Sequence, residues 1–425
     1  MPRIRTLALV TLLAALLGCA QEPEAPVLLR GHVVSTDGSP IAGARVTALD
    51  INGTPVTGTV ITDAAGRYEL DASAAQDQSV TLRAEAMGYA AFPSGIRRSL
   101  PINLADAVRD EDVLVVAGSL TEVTLVPLAD VTGLGSLAGK VEGTGALLVA
   151  EGPLVASTIS DRDGNYVIFN LPAGTYTVKA YVYGRNFLPA PGSVTAGNRT
   201  DGVNLSFAGP AGGAVNGSVN IVNAPGGSAT SVVLVVASTF NEITVRGDVP
   251  PGLRAPRTGS PSITGGFTIS GVPDGTYKVL AAFENDILVR DPDPNIAGTQ
   301  IVEVTVAGAP ITLSTSFKIT EALQVISPGP STPTEVTGTP TLIWADDSSE
   351  DYYTVELFDS QGNVIWSDPG VPSVSGSPTV SVVYGGPSLM VGRTYQFRAV
   401  SWRENGGGAG PISTTEDLCG LMFVR

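Results

Sequence analysis

The sequence predicts an all-β protein, a row of four β-sandwich domains. Three observations carry that expectation. The chain has 50 Gly and 31 Pro among 425 residues, while charged residues make up only 15%. Short apolar runs alternate with period two between turn residues, and one block of sequence recurs 101 residues further on. Frequent turns with few charges favour strands, because exposed helix faces usually carry many Lys and Glu. With 43% hydrophobic residues, each domain-sized stretch can bury a core of its own.

Composition also excludes whole classes of function. The single histidine, His32, removes most acid-base and nucleophilic schemes, since imidazole is the usual group titrating near neutrality. A net charge of −16 argues against a nucleic-acid partner, which requires clustered Lys and Arg. Glycines fall in turns between strands and not between a strand and a helix, so no phosphate-binding loop is expected.

At the amino terminus, Arg3 and Arg5 precede an apolar run from Leu7 to Leu17, then Gly18 and Cys19. That run is too short to span a bilayer as a mature helix and reads as a signal peptide. The string Leu16-Leu17-Gly18-Cys19 resembles the lipobox of bacterial lipoproteins. The resemblance implies cleavage before Cys19, a diacylglycerol on its thiol and an N-acyl chain such as palmitate on the new amine. Several acyl chains give stable anchoring where one is marginal. Ala20 follows in place of the Asp that resembles an inner-membrane retention signal, so an outer-membrane destination is favoured. With Cys19 acylated, Cys419 has no partner within the chain, and its apolar surroundings predict a buried thiol.

The repeat is clearest in Gly164-Asn165-Tyr166-Val167-Ile168-Phe169-Asn170-Leu171-Pro172-Ala173-Gly174-Thr175-Tyr176-Thr177-Val178. It returns as Gly265-Gly266-Phe267-Thr268-Ile269-Ser270-Gly271-Val272-Pro273-Asp274-Gly275-Thr276-Tyr277-Lys278-Val279. A looser copy starts at Gly66-Arg67-Tyr68 and resumes, with extra residues, at Ser79-Val80-Thr81-Leu82. Each copy follows a Gly-x-Val strand start, at Gly31, Gly139 and Gly217. The alternating runs on either side of Pro172-Ala173-Gly174 predict two strands joined by a hairpin turn.

Gly31-His32-Val33, Pro40-Ile41-Ala42-Gly43-Ala44-Arg45-Val46, Thr62-Asp63-Ala64-Ala65-Gly66-Arg67-Tyr68 and Gly88-Tyr89 resemble the carboxypeptidase regulatory-like family. Asp161-Arg162-Asp163-Gly164-Asn165-Tyr166 and Leu171-Pro172-Ala173-Gly174-Thr175-Tyr176 match it better still, and the third copy matches least. The resemblance implies a non-catalytic, transthyretin-like or prealbumin-like sandwich related to carbohydrate-binding folds. The units are also similar to the B-type repeats of collagen adhesins, some of which carry an isopeptide bond. Lys140 and Asn204 would be its candidates, but the acid that catalyses the bond is replaced by Ala180 and Ala281.

After the Pro-rich boundary at 328–333 the pattern changes. Leu342-Ile343-Trp344, the alternating run from Tyr353 to Phe358, and Leu389 six residues before Tyr395 resemble a fibronectin type III or other immunoglobulin-like sandwich. That resemblance implies a Tyr395 hydroxyl bonded back to the main chain and a buried Trp344.

The domains expected are a signal peptide at 1–18, a lipidated tether at 19–26, carboxypeptidase regulatory-like sandwiches at 27–128, 133–208 and 212–320, and a fibronectin-like sandwich at 322–425. Placed in line, four such domains would extend on the order of 130 Å. Asp161, Asp163 and Asn165 are spaced like the start of a calcium loop, but Pro172 stands where the bidentate acid belongs, which favours a plain turn. No catalytic residue, metal site or cofactor is expected beyond the lipid on Cys19. The expected function is binding, adhesion or envelope scaffolding, with the membrane, a polysaccharide, peptidoglycan or another envelope protein as partner. The alternative is a carbohydrate-binding lipoprotein that stacks sugars on Tyr181, Tyr183, Phe187, Trp366 or Trp402. A glycosidase with paired carboxylates is a further alternative, and it would require a deep cleft.

Overall fold

In the computed structural model the chain is described over residues 25–425, apart from 51, 77, 94–98, 144, 223–229, 243–245, 260–261, 284–300, 315, 321, 348, 406–407 and 416–418. Cys19 and its flanking segment lie outside the described residues. The described part is all-β, with three short 3-10 turns. No described helix is long and apolar enough to cross a membrane.

Three successive units repeat one two-sheet plan. In the first, Val27–Ser35 pairs with Arg67–Asp71, Val113–Val116 and Val123–Leu125, while the facing sheet runs Val60–Ile61, Arg45–Leu49, Ser79–Glu85, Ile102–Asn103. The second unit builds its facing sheet from Ala156–Ile159, Leu147–Glu151, Gly174–Tyr181 and Ala190–Val194 in the same order. The third repeats the order with Arg254–Ala255, Thr230–Val236, Gly275–Phe283 and Val302–Val306. Alternation sends Tyr166, Ile168, Tyr176 and Val178 into one core, which has its counterpart in the first unit around Leu29, Val46 and Leu82.

The expected hairpin at Pro172-Ala173-Gly174 is corrected by the pairing. Asn165–Pro172 belongs to the sheet of Leu134–Lys140, whereas Gly174–Tyr181 pairs with Leu147–Glu151 in the other sheet. The chain therefore arches from one sheet to the other, and both alternating runs face the same core from opposite sides. Tyr176 Oη closes the arch by donating to Pro172 O at 2.9 Å. Tyr277 does the same to Pro273 O at 2.9 Å in the third unit.

The glycine and aromatic of the repeat are explained together. Tyr68 Oη donates to Thr121 O and Tyr166 Oη to Val203 O, at 2.7 and 2.5 Å. Those two carbonyls press on Gly31 and Gly139, where any Cβ would collide with them. In the third unit Phe267 lacks the hydroxyl, and its ring packs directly on Gly217.

The carboxy-terminal sandwich sets Val325–Ser327, Thr341–Ala345 and Thr379–Val383 against a larger sheet centred on Thr394–Asn405. Trp344 is fully buried at its core against Tyr353, at 5.6 Å edge to face. Tyr395 Oη accepts the Met390 N–H at 3.0 Å, the corner expected from Leu389 and Tyr395. Cys419 is buried, with Sγ 3.2 Å from Pro330 O.

The arrangement departs from a simple row in one respect. A line would let each sandwich touch only its neighbours in the chain. Instead the first unit touches the other three, because turns of each of them carry polar groups that bond to its loops and strand edge.

Candidate functional site

Polar side chains bond across the contacts where the units meet. At the first joint, Asn170 takes a left-handed backbone with φ 62° at the end of its strand. Its side chain plugs the Ala86–Tyr89 turn of the first unit. Gly88 N donates to Oδ1 at 2.7 Å, and Nδ2 donates to Tyr89 O at 2.7 Å and Ala86 O at 3.2 Å. Asn tolerates this conformation better than most residues, so local chemistry and docking agree.

Beside it lies an ionic network shared by three units. Arg83 Nε meets Glu85 Oε1 at 2.7 Å, both side chains being about nine-tenths buried. Thr158 Oγ1 of the second unit donates to Glu85 Oε2 at 2.7 Å, and Arg83 Nη2 donates to Ser157 O at 3.3 Å. Ser157 Oγ in turn donates to Asp248 of the third unit at 2.5 Å. Burial works against the Arg83 charge, but Glu85 and Asp248 outweigh it and hold the guanidinium above its ordinary range. Nearby, Arg45 is pulled below its ordinary value by burial.

The second joint repeats the first with a change of chemistry. Gly184 N donates to Gly271 O at 2.7 Å, Tyr183 N to Pro251 O at 3.0 Å, and Asp274 N to Asn186 Oδ1 at 2.9 Å. Tyr181 meets Tyr277 edge to face at 6.0 Å. Ser238 Oγ donates to Glu151, which also holds Lys179.

The fourth sandwich docks through the turn Asp359-Ser360-Gln361-Gly362-Asn363. Asp359 Oδ1 accepts Gln361 N and Asn363 N, each at 2.9 Å, and thereby sets the turn. Gln361 then acts as a substitute peptide group on the first unit's edge strand. Thr124 N donates to its Oε1 at 2.8 Å, and its Nε2 donates to Glu122 O at 2.6 Å. Ser119, Thr394 and Ser360 add hydroxyl contacts, and Leu100 packs on Leu421.

The residues nominated from sequence as sugar platforms fare differently. Tyr181 is 4% exposed, and burial drives its hydroxyl pKa up. It belongs to the second joint and offers no open ring, because the third unit covers the sheet face on which it lies. Tyr183 carries the Arg257 guanidinium over its ring at 4.6 Å and packs on Gly252 and Gly271. Phe187 is half-buried against Phe207 at 6.3 Å. Trp366 is half-buried and set edge-on to Tyr384 at 5.2 Å, against the fourth sandwich's core. Trp402 lies flat on Tyr352, 6.1 Å apart with planes 4° off parallel, and its Nε1 donates to Thr354 Oγ1.

The structure does not gather these five residues into one groove. The first three flank the joint between the second and third units, whereas the two tryptophans lie in the fourth sandwich. His32 is half-exposed, with Nδ1 3.0 Å from Glu122 Oε1. Asp161 Oδ1 is occupied by Asp163 N at 3.0 Å and Asn165 N at 2.8 Å, the pattern of a self-bonded turn. Asn204 Oδ1 accepts from Lys140 N at 2.9 Å, and the Lys140 side chain points to solvent. The joints themselves were missed in the sequence. A signal existed at one position, the pairing of Asn170 with Gly271 across the repeat, both being residue types that tolerate positive φ.

Tyr68 and Gly31, locked together in the first unit, lie within the one stretch that matches a known domain model. Residues 29–125 match the family model of the carboxypeptidase regulatory-like domain. The match falls on the first unit, although the motif strings looked strongest in the second.

No curated protein matches the chain. Similar solved structures include the Bacillus anthracis TIE protein, at 11% identity over 95% of this chain and 73% of that one, TM-score 0.17. The major pilin subunit BcpA of Bacillus cereus is 12% identical over 70% of this chain and 99% of its own, TM-score 0.19. A 3-chlorocatechol 1,2-dioxygenase from Rhodococcus opacus is 14% identical over 26% of this chain and 62% of its own, TM-score 0.15.

Proposed function

We propose that the protein is a non-catalytic, lipid-anchored scaffold of the cell envelope, favoured in the outer membrane. One observation carries the reading: the carboxypeptidase regulatory-like domain bonds to each of the other three sandwiches, through the Asn170 side chain, through Gly252 N, which donates to Asn52 O at 3.2 Å, and through the Gln361 amide. Buried charge and hydrogen-bonding capacity are committed there to holding domains together. A spacer would instead need independent beads joined by exposed linkers. The Leu16-Leu17-Gly18-Cys19 string supports an anchor, and Val27, where the first strand opens, stands eight residues beyond Cys19. The first domain would therefore sit close to the membrane, with the others gathered against it.

Fractionation of cells expressing wild type and Cys19→Ala tests the anchor. Wild type is expected in the membrane fraction and the variant in the soluble fraction. Equal membrane retention would refute lipidation at Cys19.

The Trp402 and Tyr352 stack favours a second reading, recognition of a polysaccharide by the fourth sandwich, because its rings lie parallel on the sheet surface. Polysaccharide pull-down with wild type and Trp402→Ala decides it. Loss of binding in the variant supports the reading, and failure of wild type to bind any glycan rejects it.

A further inference from the structure

The same sheet face recurs in each repeated unit, and what covers it changes along the chain. On the first unit it carries Thr47 paired with Arg83 and Arg45 paired with Glu85. On the second it carries Leu147 paired with Tyr181 and Val149 paired with Lys179. On the third it carries Val233 paired with Leu280 and Val235 paired with Lys278. All three are outer faces, since the residues between them in sequence point into each unit's own core.

The next unit covers the first two faces. Thr158 and Ser157 of the second unit sit on Glu85 and Arg83. Leu147, Val149 and Tyr181 share one apolar cluster with Tyr277 and Val279 of the third. The sandwich that follows the third unit has a different strand order and is not a further copy. Yet Val233, Val235 and Leu280 are each about 2% exposed or less, packed under Phe240, Val249 and Ile301 of the same unit. Phe240 also lies 5.7 Å from Lys278 Nζ, which reaches Glu303 at 3.1 Å.

The opposite end is modified as well. Ala72 holds the position that Asn170 and Gly271 hold in the later units. It takes φ −105° in place of positive φ, and it leads into the 3-10 turn Ser73–Ala75, the extra residues of the first copy. Ser73 Oγ accepts from Val27 N at 3.0 Å, and this ties the turn back onto its own sheet.

We propose that the three-unit stack is a finite array closed at both ends. In this account Phe240, Val249 and Ile301 are a built-in cap over a docking face of the kind that joins the units. Stacked repeats expose an adhesive face unless the terminal ones are modified, so an uncapped third unit would take up a second copy of this chain. The inference holds whether or not the chain is lipid-anchored.

The test is sedimentation of the full chain, with Cys19→Ser throughout so that no acyl chain contributes. The Phe240→Ser/Val249→Ser double variant is compared with the capped chain over the same concentrations, so association through residues 1–24 is common to both. The capped chain should keep one mass as concentration rises. The double variant should show a weight-average mass rising about twofold at micromolar to tens-of-micromolar concentration, as an apolar face becomes available. Adding Val235→Lys/Leu280→Lys to it should return the mass to that of the capped chain. An unchanged mass in the double variant overturns the proposal, as does an association that the added lysines leave in place. Loss of the folded far-UV signal in the double variant also overturns it, since Phe240 and Val249 would then belong to the third unit's core and not to a cover over it.

Discussion

Asn170 and Gly271 stand 101 residues apart, share a backbone φ of 62°, and each meets the glycine turn of the preceding unit. Asn170 takes the Gly88 N–H on its side chain, and Gly271 takes the Gly184 N–H on its carbonyl. One joint is thus written twice with different atoms. Asn170→Ala should destabilise the protein by about 2–4 kcal/mol, combining a strained Ala with lost hydrogen bonds across the joint. Asn170→Gly should cost clearly less, because it keeps the backbone. Denaturant unfolding of both variants checks the order.

Gly271→Ala tests the second joint by a different route. A Cβ there would lie 2.8 Å from Tyr183 Cε2 and 3.1 Å from Gly184 N, at a φ that Ala resists. The expected result is a lower melting temperature together with faster proteolysis between the second and third units. An unaltered digestion pattern would show that the joint tolerates the displacement.

Removing one member of the buried pair Arg83–Glu85 leaves the other uncompensated. Arg83→Ala is expected to cost about 3–5 kcal/mol, whereas Arg83→Met/Glu85→Leu should recover most of that loss. Thermal unfolding of the single and double variants measures the difference.

The strands are legible in the sequence, and the way the sandwiches meet is not. Period-two alternation at Tyr166 to Asn170 and Tyr176 to Ala180 revealed the strands and their inward residues. The Pro172-Ala173-Gly174 link reads as a hairpin but forms an arch, because alternation says which residues face the core and not which sheet a strand joins. Tyr181 shows a related limit, since an aromatic at an outward position suits a sugar or a neighbouring domain equally well. Its fate depended on the third unit closing over it. Gln361 was illegible for the same reason, because its value lies in reaching Glu122 and Thr124 across more than two hundred residues of sequence.

Turn aspartates give the pH dependence. Backbone N–H donors hold Asp37, Asp63 and Asp130 below the ordinary carboxylate value of 3.8, and Ser73 does so for Asp71 through its hydroxyl and its N–H. Burial pushes Asp50 the other way. A lowered carboxyl contributes stability that is complete above its unfolded value and is lost as pH falls through its folded one. Stability should therefore be flat near neutrality with respect to these groups and decline below about pH 4. Urea midpoints between pH 7 and 2.5 would show it, and a rise in midpoint on acidification would contradict it.

Gln361→Ala should free the fourth sandwich from the first without unfolding either. It removes the amide that pairs with Glu122 O and Thr124 N, while Asp359 still holds the turn through main-chain donors. Cleavage within the Pro-rich stretch at 328–333 should accelerate severalfold, read by limited proteolysis. Unchanged cleavage would mean that the hydroxyl contacts and the Leu100–Leu421 packing suffice.

Small-angle X-ray scattering of the full chain in solution shows whether the sandwiches are docked around the first one. Docking predicts a radius of gyration of about 22–28 Å, the lower figure being that of a compact body of this length. Four sandwiches in an extended row would give about 38 Å, the value for a rod of the length expected from four domains in line. A measurement near the larger figure would mean that the sandwiches are not docked.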